Sequence, residues 1–356
     1  MKLTRWLKSW EFSLAVMLVV EVLVLGAINP AFLKVEDLLY STNDFMHIIF
    51  AALAMTLTII TGGIDISSTS VMGLTSIVIG LGWVAGMNIV AAVALAIVVG
   101  TLAGLFNGLF VAYTDIHPLV ITLGTLFMFG GIAAGLPGVL DFLGFKAYGA
   151  AGFSAYMYEG ITGFPQSFGD FTQNSIMGLP IPLILIFLFA LFLALLLHRT
   201  RFGRYLYLIG VNQEAAEYTG VPVKKALILA YTLSGLGAAI AGVMLTSYFT
   251  SARSDLGSKD LLPIITAVVL GGTDIMGGSG TIVGTLIAGI FIGYLRQGLL
   301  ALGVTSDVVP VVTGFLLVVV VAAKLLVARF NEERLNRQAL KSRQEEALGG
   351  LGKEVS

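Results

Sequence analysis

The feature that most constrains this chain is a succession of apolar runs long enough to cross a bilayer. A spanning helix needs about 20 mostly apolar residues. Runs of that kind lie near residues 12–28, 45–61, 69–86, 89–113, 118–140, 180–198, 226–250, 261–276, 281–302 and 307–328. Of the 356 residues 57% are hydrophobic and only 12% charged, against about 25% charged in average soluble usage. That leaves room for about ten spans and none for a large soluble catalytic domain. The expected fold is therefore all-α and polytopic, with about ten transmembrane helices over residues 1–328 and a charged cytoplasmic tail at 329–356. A net charge of -1 supplies no basic field for nucleic acid, and the absence of cysteine excludes disulfides and thiolate metal sites.

Lys and Arg set the expected orientation, because short cytoplasmic loops hold an excess of them. Fifteen lie at the N-terminus, in the loop 199–225 and in the tail; four lie in the segments 29–44, 141–178 and 251–260. Both termini are thus expected inside, and the long loop 141–178 outside. Arg296 is left over within the ninth run. The basic start before the first run has the outline of a signal peptide, but Glu21 interrupts it and no small-x-small cleavage site follows cleanly. It is read as a retained span. The eighth run is the weakest, since Leu261–Leu270 leads at once into Gly271-Gly272-Thr273-Asp274, and an interrupted helix is expected there.

That break echoes an earlier one. Thr61-Gly62-Gly63-Ile64-Asp65-Ile66 returns as Leu270-Gly271-Gly272-Thr273-Asp274-Ile275, 209 residues later. Internal duplication is common in transporters, and five spans per half imply inverted repeats. Yet the run count places Asp65 and Asp274 on the same side. Two readings stay open: the eighth run does not cross fully, or the echo is shared turn chemistry without duplication. In Gly-Gly-x-Asp the glycines permit positive φ and the Asp can accept backbone N–H bonds. The functional alternative is an acidic group at a gate or ion site.

The loop 199–225 carries the sharpest signal. Asn212 is a sound helix N-cap, the next seven residues can be helical, and Gly220 followed by Pro222 stops them. A helix of about 10 Å is too short to span or to build a core. Flanked by Arg199, Arg201, Arg204, Lys224 and Lys225, with Ala215-Ala216 expected to expose a small flat face, it reads as a docking element. The pattern from Gly203-Arg204 through Gly210, Asn212, Ala215-Ala216 and Gly220-Val221 resembles the coupling loop of ATP-binding-cassette importer permeases of the ribose and branched-chain transport type. The likeness extends through Gly62-Gly63-Ile64-Asp65-Ile66-Ser67, Asn107-Gly108, Pro118 to Thr125, and Gly271-Gly272 with Gly277-Gly278. A narrower likeness, to the autoinducer-2 importing branch, rests on Ala27-Ile28-Asn29-Pro30, Tyr158 to Pro165, Gly178 to Pro182 and Ser247 to Gly257. Two departures stand out. The family usually has Gly where Thr69 stands, so a looser turn after Asp65 is expected. Ribose-type relatives often have Arg where Ser279 stands, which argues against a simple ribose assignment.

The resemblance implies a membrane subunit that pairs with a second homologous permease, ATPase subunits and an external binding protein, in an inner membrane. No Gly-x-x-x-x-Gly-Lys-[Ser/Thr] phosphate loop occurs, so ATP would be bound by partner chains and this chain would hold no cofactor, metal or catalytic residue of its own. The implied coupling residues are Gly210, Asn212, Glu214, Ala215, Ala216 and Gly220. Asp65, Asn107, Thr122, Thr125 and Asp274 are the candidates for a pathway or gate, although polar groups at membrane depth commonly bond across helices. Glu21 and His47 are titratable groups in the first two runs, and His47 is expected to be a satisfied buried residue. The substrate implied is autoinducer-2. A pentose or deoxyhexose permease and, from another class, an ion-coupled secondary transporter are the alternatives.

Overall fold

The structure, a computed structural model, describes residues 10–142, 144 and 160–322. The middle of the long loop and the whole tail 329–356, with the termini's Lys and Arg, lie outside the described residues. Every apolar run read from the sequence contains a helix within its described residues. In chain order these are α1 (Trp10–Ile28), a short α2 (Val35–Tyr40), α3 (Met46–Ile60), α4 (Ser68–Val84), α5 (Ile89–Tyr113) and α6 (Pro118–Phe142). After the long loop come α7 (Gln166–Gln173), a two-residue hairpin pairing Ser175–Ile176 with Leu179–Pro180, and α8 (Ile181–Arg199). Then follow α9 (Arg201–Val211), α10 (Gln213–Tyr218), α11 (Val223–Phe249), α12 (Leu261–Leu270), α13 (Ile282–Ala301) and α14 (Val309–Ala322).

Six of these, α1, α5, α6, α8, α11 and α13, are long and apolar enough to cross a membrane, or seven if the segment Val35–Ile60, bent by 66°, counts as one span. The expected ten is reached only by counting α4, α12 and the described part of α14, which are shorter. At 1.5 Å per residue α12 is about 15 Å long, half of a hydrocarbon core of about 30 Å. The eighth run thus ends as a helix at Leu270, as its glycines foretold.

The bundle has a wholly buried post. All 15 residues of α3 are buried, with α8, α11, α12 and α13 around it. By contrast α1, α5 and α6 bury one face each and leave residues such as Leu23, Leu102 and Phe127 exposed, as suits helices whose outer side meets lipid. Without a hydrophobic drive between helices in lipid, close approach depends on small residues. Gly100, Gly104 and Gly108 of α5 supply it. They lie against Ala239, Gly235 and Ile228 of α11, and a Cβ on Gly108 would fall 2.8 Å from the Ile228 carbonyl oxygen. The Gly280, Gly284 and Gly289 series packs likewise, against Thr273, Gly271 and Ile49.

Both Gly-Gly-x-Asp turns lie at one end of this bundle, together with the 199–222 segment. The far end holds Asp44, Asp260, Arg296, the bridge between Ile161 and Ala252, and α7. The echo therefore joins two turns at the same end, and the inverted arrangement expected of a five-plus-five duplication does not place them on opposite sides.

Candidate functional site

The segment 199–222 is built as its sequence suggests, with one helix more. Thr200 caps α9, accepting from the Gly203 N–H at 3.4 Å. Asn212 then caps α10, its Oδ1 accepting from the Ala215 N–H at 2.8 Å. Six residues, one fewer than the sequence allowed, form α10. Gly220 ends it at φ +81°, with the Val221 N–H donating back to the Ala216 carbonyl at 3.1 Å. The expected flat face of Ala215 and Ala216 is corrected: a helix turns about 100° per residue, so the two diverge, and Ala216 is buried while Ala215 is exposed. Every residue of α10 but Ala216 is exposed, from Gln213 and Glu214 to Tyr218, beside Val211.

The inner side of this segment grips both glycine turns. The backbone of Gly210 lies so close to the Ile60 carbonyl oxygen and the Gly278 nitrogen that a Cβ there would overlap both. The Gly278 N–H donates to the Ile60 carbonyl at 2.8 Å. A Cβ on Gly277 would stand 2.7 Å from the Gly62 nitrogen and 3.1 Å from the Gly210 Cα. Tyr207 of α9 adds a bond from its hydroxyl to the Gly280 carbonyl at 2.7 Å. Three chain segments, 60–62, 210–211 and 277–280, thus meet at glycine with nothing between their backbones. Through these contacts α9 and α10 abut the C-terminal end of α3 and the loop joining α12 to α13.

Beyond this node lies a buried polar cluster around Asp65, which is 1% exposed. The Ser67 hydroxyl donates to its Oδ1 at 2.6 Å and the Ser234 hydroxyl to its Oδ2 at 2.7 Å. Asn107 Nδ2 donates in turn to the Ser67 hydroxyl oxygen at 2.7 Å. Thr122 joins through the backbone, its hydroxyl donating to the Ile64 carbonyl at 2.9 Å. Ser234 lies about 16 Å along a helix of about 40 Å, so the cluster sits deep in the bundle. It ties α4, α5, α6 and α11 to one turn. The sequence-derived candidates Asp65, Asn107 and Thr122 therefore come together. Thr125 bonds only along its own helix, to the Thr122 carbonyl at 3.3 Å. Asp274 stands apart, exposed, accepting from the Met276 N–H at 2.9 Å. Thr69 lies in the first helical turn of α4 with its hydroxyl on the Ile66 carbonyl, so the chain reversal is complete before it and needs no glycine there.

Sequence reasoning missed the acid–base cluster at the far end. His47 Nε2 lies 3.1 Å from Asp260 Oδ2, and Arg296 reaches Asp260 Oδ1 at 3.4 Å. Burial works against the Asp260 charge, but His47 and then Arg296 outweigh it and hold the carboxyl below its usual range. Arg296, the cation unaccounted for by loop counting, was the signal: a charge within a span needs a partner. Glu21 shows no such partner among the described residues; both carboxylate oxygens are buried without a hydrogen bond.

An all-helical bundle with interrupted helices, lipid-facing flanks and an exposed capped helix seated on its internal turns defines the class: a multi-pass membrane permease. The chain belongs to the family described as branched-chain amino acid transport system / permease component, which matches residues 38–321. Curated relatives include the "Autoinducer 2 import system permease protein LsrD" of Photorhabdus temperata, 47% identical over 89% of this chain and 91% of the relative. The proteins of the same name from Photorhabdus luminescens and Yersinia enterocolitica are each 46% identical, over 89% of this chain and 91% and 92% of theirs. No solved structure matches the chain.

Proposed function

We propose that this chain is the membrane-spanning subunit of an ATP-driven importer of autoinducer-2, in the cytoplasmic membrane with both termini inside. The observation that carries the mechanism is the glycine node, where an exposed capped helix and both internal turns share backbone contacts. The names of its relatives and the length over which they match support the substrate. In this reading the 199–225 loop faces the cytoplasm, in keeping with its five basic residues, and α10 docks into an ATPase subunit. ATP-driven closure of that partner shifts α10. Gly210 passes the shift to residues 60–62 and 277–280, and the packed helices tip between outward and inward openings. ATP is bound by the partner, a second related permease completes the pathway, and an external binding protein delivers the substrate to the far end.

An ion-coupled carrier working through Asp65 would offer that acid to a cation, whereas both of its oxygens are already held by serine hydroxyls. Uptake into sealed vesicles tests the choice. ATP-dependent uptake of autoinducer-2 that is insensitive to ionophore is expected, and uptake that persists without ATP and collapses with ionophore overturns it. Glu214→Arg and Gly220→Val are expected to abolish transport and ATPase co-purification while leaving membrane insertion intact. Normal co-purification with both variants would place the docking site elsewhere.

A further inference from the structure

Toward the far end, α5 and α8 stand apart. A groove of about 630 Å³ lies between them, floored by Phe50 of α3 and by Ile240, Val243 and Met244 of α11, with α7 at its end. On α5 its lining runs from Ile89, the first residue of the helix, to Ile97, about 12 Å along the axis. That depth fits within a single leaflet, half of a hydrocarbon core of about 30 Å. The lining is hydrocarbon almost throughout. Ser167 alone brings a polar side chain to it, and that residue is exposed.

The chemistry and the position of the groove together decide its occupant. Protein interiors are close-packed, with few voids larger than a water molecule, and apolar cavities of even about 150 Å³ stay dry while accepting hydrocarbon guests. A polar guest would lose its hydrogen bonds here and regain none. The rim, moreover, continues the lipid-facing surface. Val90 of α5 is 73% exposed and Leu188 of α8 57%, and both line the groove. Further along α8, Leu191 and Leu195 are exposed in the same way. The floor is reached from that side as well: Ile240 belongs to a helix packed on α3, α4 and α5, yet it is only half-buried, as is Leu236 one turn earlier. Lipid tails therefore border the opening on both sides, and the groove offers them the same apolar surface at greater depth.

We propose that this groove is an acyl-chain site, in which one tail of a membrane lipid from the far-end leaflet enters between α5 and α8 and packs on Phe189 and Ile240. The tail supplies the contacts that side chains do not make there. It touches α11, the helix that carries both Ser234 of the Asp65 cluster and Tyr248 at the far end. The site needs only a bilayer around the bundle, so it stands or falls separately from the substrate and the ATPase partner proposed above.

Photolabelling of the complete transporter tests it. The vesicles consist of phosphatidylethanolamine and phosphatidylglycerol, doped with a phosphatidylethanolamine whose tail carries a diazirine, and adducts are mapped by mass spectrometry. Ile240 is expected to carry about fivefold or more adduct than the fully buried Met55, and Leu191, on the open face of α8, serves as the reference for ordinary lipid contact. Leu188→Trp narrows the mouth from an exposed position where the fold tolerates a large side chain, and Val93→Trp fills the groove from α5. Each is expected to lower the Ile240 adduct about fivefold or more and to leave that at Leu191 unchanged. Labelling of Leu188 and Leu191 with none at Ile240 overturns the site. So does an Ile240 adduct indifferent to both substitutions, which would mean entry by another route. Loss of labelling at Val90, Leu188 and Ile240 together, with Leu191 still labelled, overturns it in favour of a protein partner seated over the groove.

Discussion

The two Gly-Gly-x-Asp turns have nearly the same sequence and the same end of the molecule, and their acids do different work. Locally they are alike: Asp65 Oδ1 accepts from the Ser67 N–H at 3.2 Å, and Asp274 Oδ1 from the Met276 N–H at 2.9 Å. Each is an Asx turn closing a chain reversal. The helix before the second turn runs one residue further through the motif, so the residue with positive φ is Gly62 in one and Gly272 in the other. The larger difference is tertiary. Ser67, two residues after Asp65, carries a hydroxyl that binds the same carboxylate, and Ser234 arrives from α11 to bind the other oxygen. At the second turn the corresponding residue is Met276, exposed, and the acid remains at the surface. A motif thus fixes the shape of a turn, and its neighbours decide whether its acid becomes an interior tie.

The strongest way to break this comparison is at the point where the turns meet. Gly210→Val would drive a branched side chain into the backbone at Ile60 and Gly278. It is expected to separate the two turns and reduce ATP-dependent uptake by about a hundredfold or more, a loss above about 2.7 kcal/mol of coupling. Next is Asp65→Ala, which strands two buried hydroxyl donors at about 1–3 kcal/mol each. A fall of about 2–6 kcal/mol in unfolding free energy is expected, read from denaturation in detergent. Sharper still is a double-mutant cycle between Asp65→Ala and Ser234→Ala, where shared bonding predicts non-additivity of about 0.5–3 kcal/mol. Asp274→Ala is the small end of the scale. Only an exposed Asx bond is lost, and a change of about 0.5 kcal/mol or less is expected. Equal effects at Asp65 and Asp274 would erase the distinction between the two turns.

Much of this was readable in advance. Apolar run length located the long apolar helices but not α2, α7 or α9, Asn212 and Gly220 marked α10 to within a residue, and Gly100-Gly104-Gly108 announced a close crossing, because these signals act within one or two turns of chain. The burial of Asp65 was not readable, since its second partner is 169 residues away. Neither was the His47–Asp260–Arg296 cluster: Arg296 and His47 each stand out in the sequence, but nothing local pairs them through Asp260, which lies 36 residues from the one and on a different segment from the other. The node at Gly210 combines both cases. Its glycine was singled out by family likeness, but what that glycine touches depends on how α3 and α12 end inside the bundle.

One contact of the first helix has a practical side. Trp10 donates its indole N–H to the carbonyl of Leu270 at 2.7 Å, and its ring lies over Gly272. The chain has 3 tryptophans in all, and this one sits on the second turn, adjoining the segment that Gly210 touches. Its ultraviolet emission is therefore a built-in optical gauge of that turn. A reaction cycle that moves the turn would change the indole's hydrogen bond and surroundings, and with the other two tryptophans replaced the colour of the remaining fluorescence would report that movement.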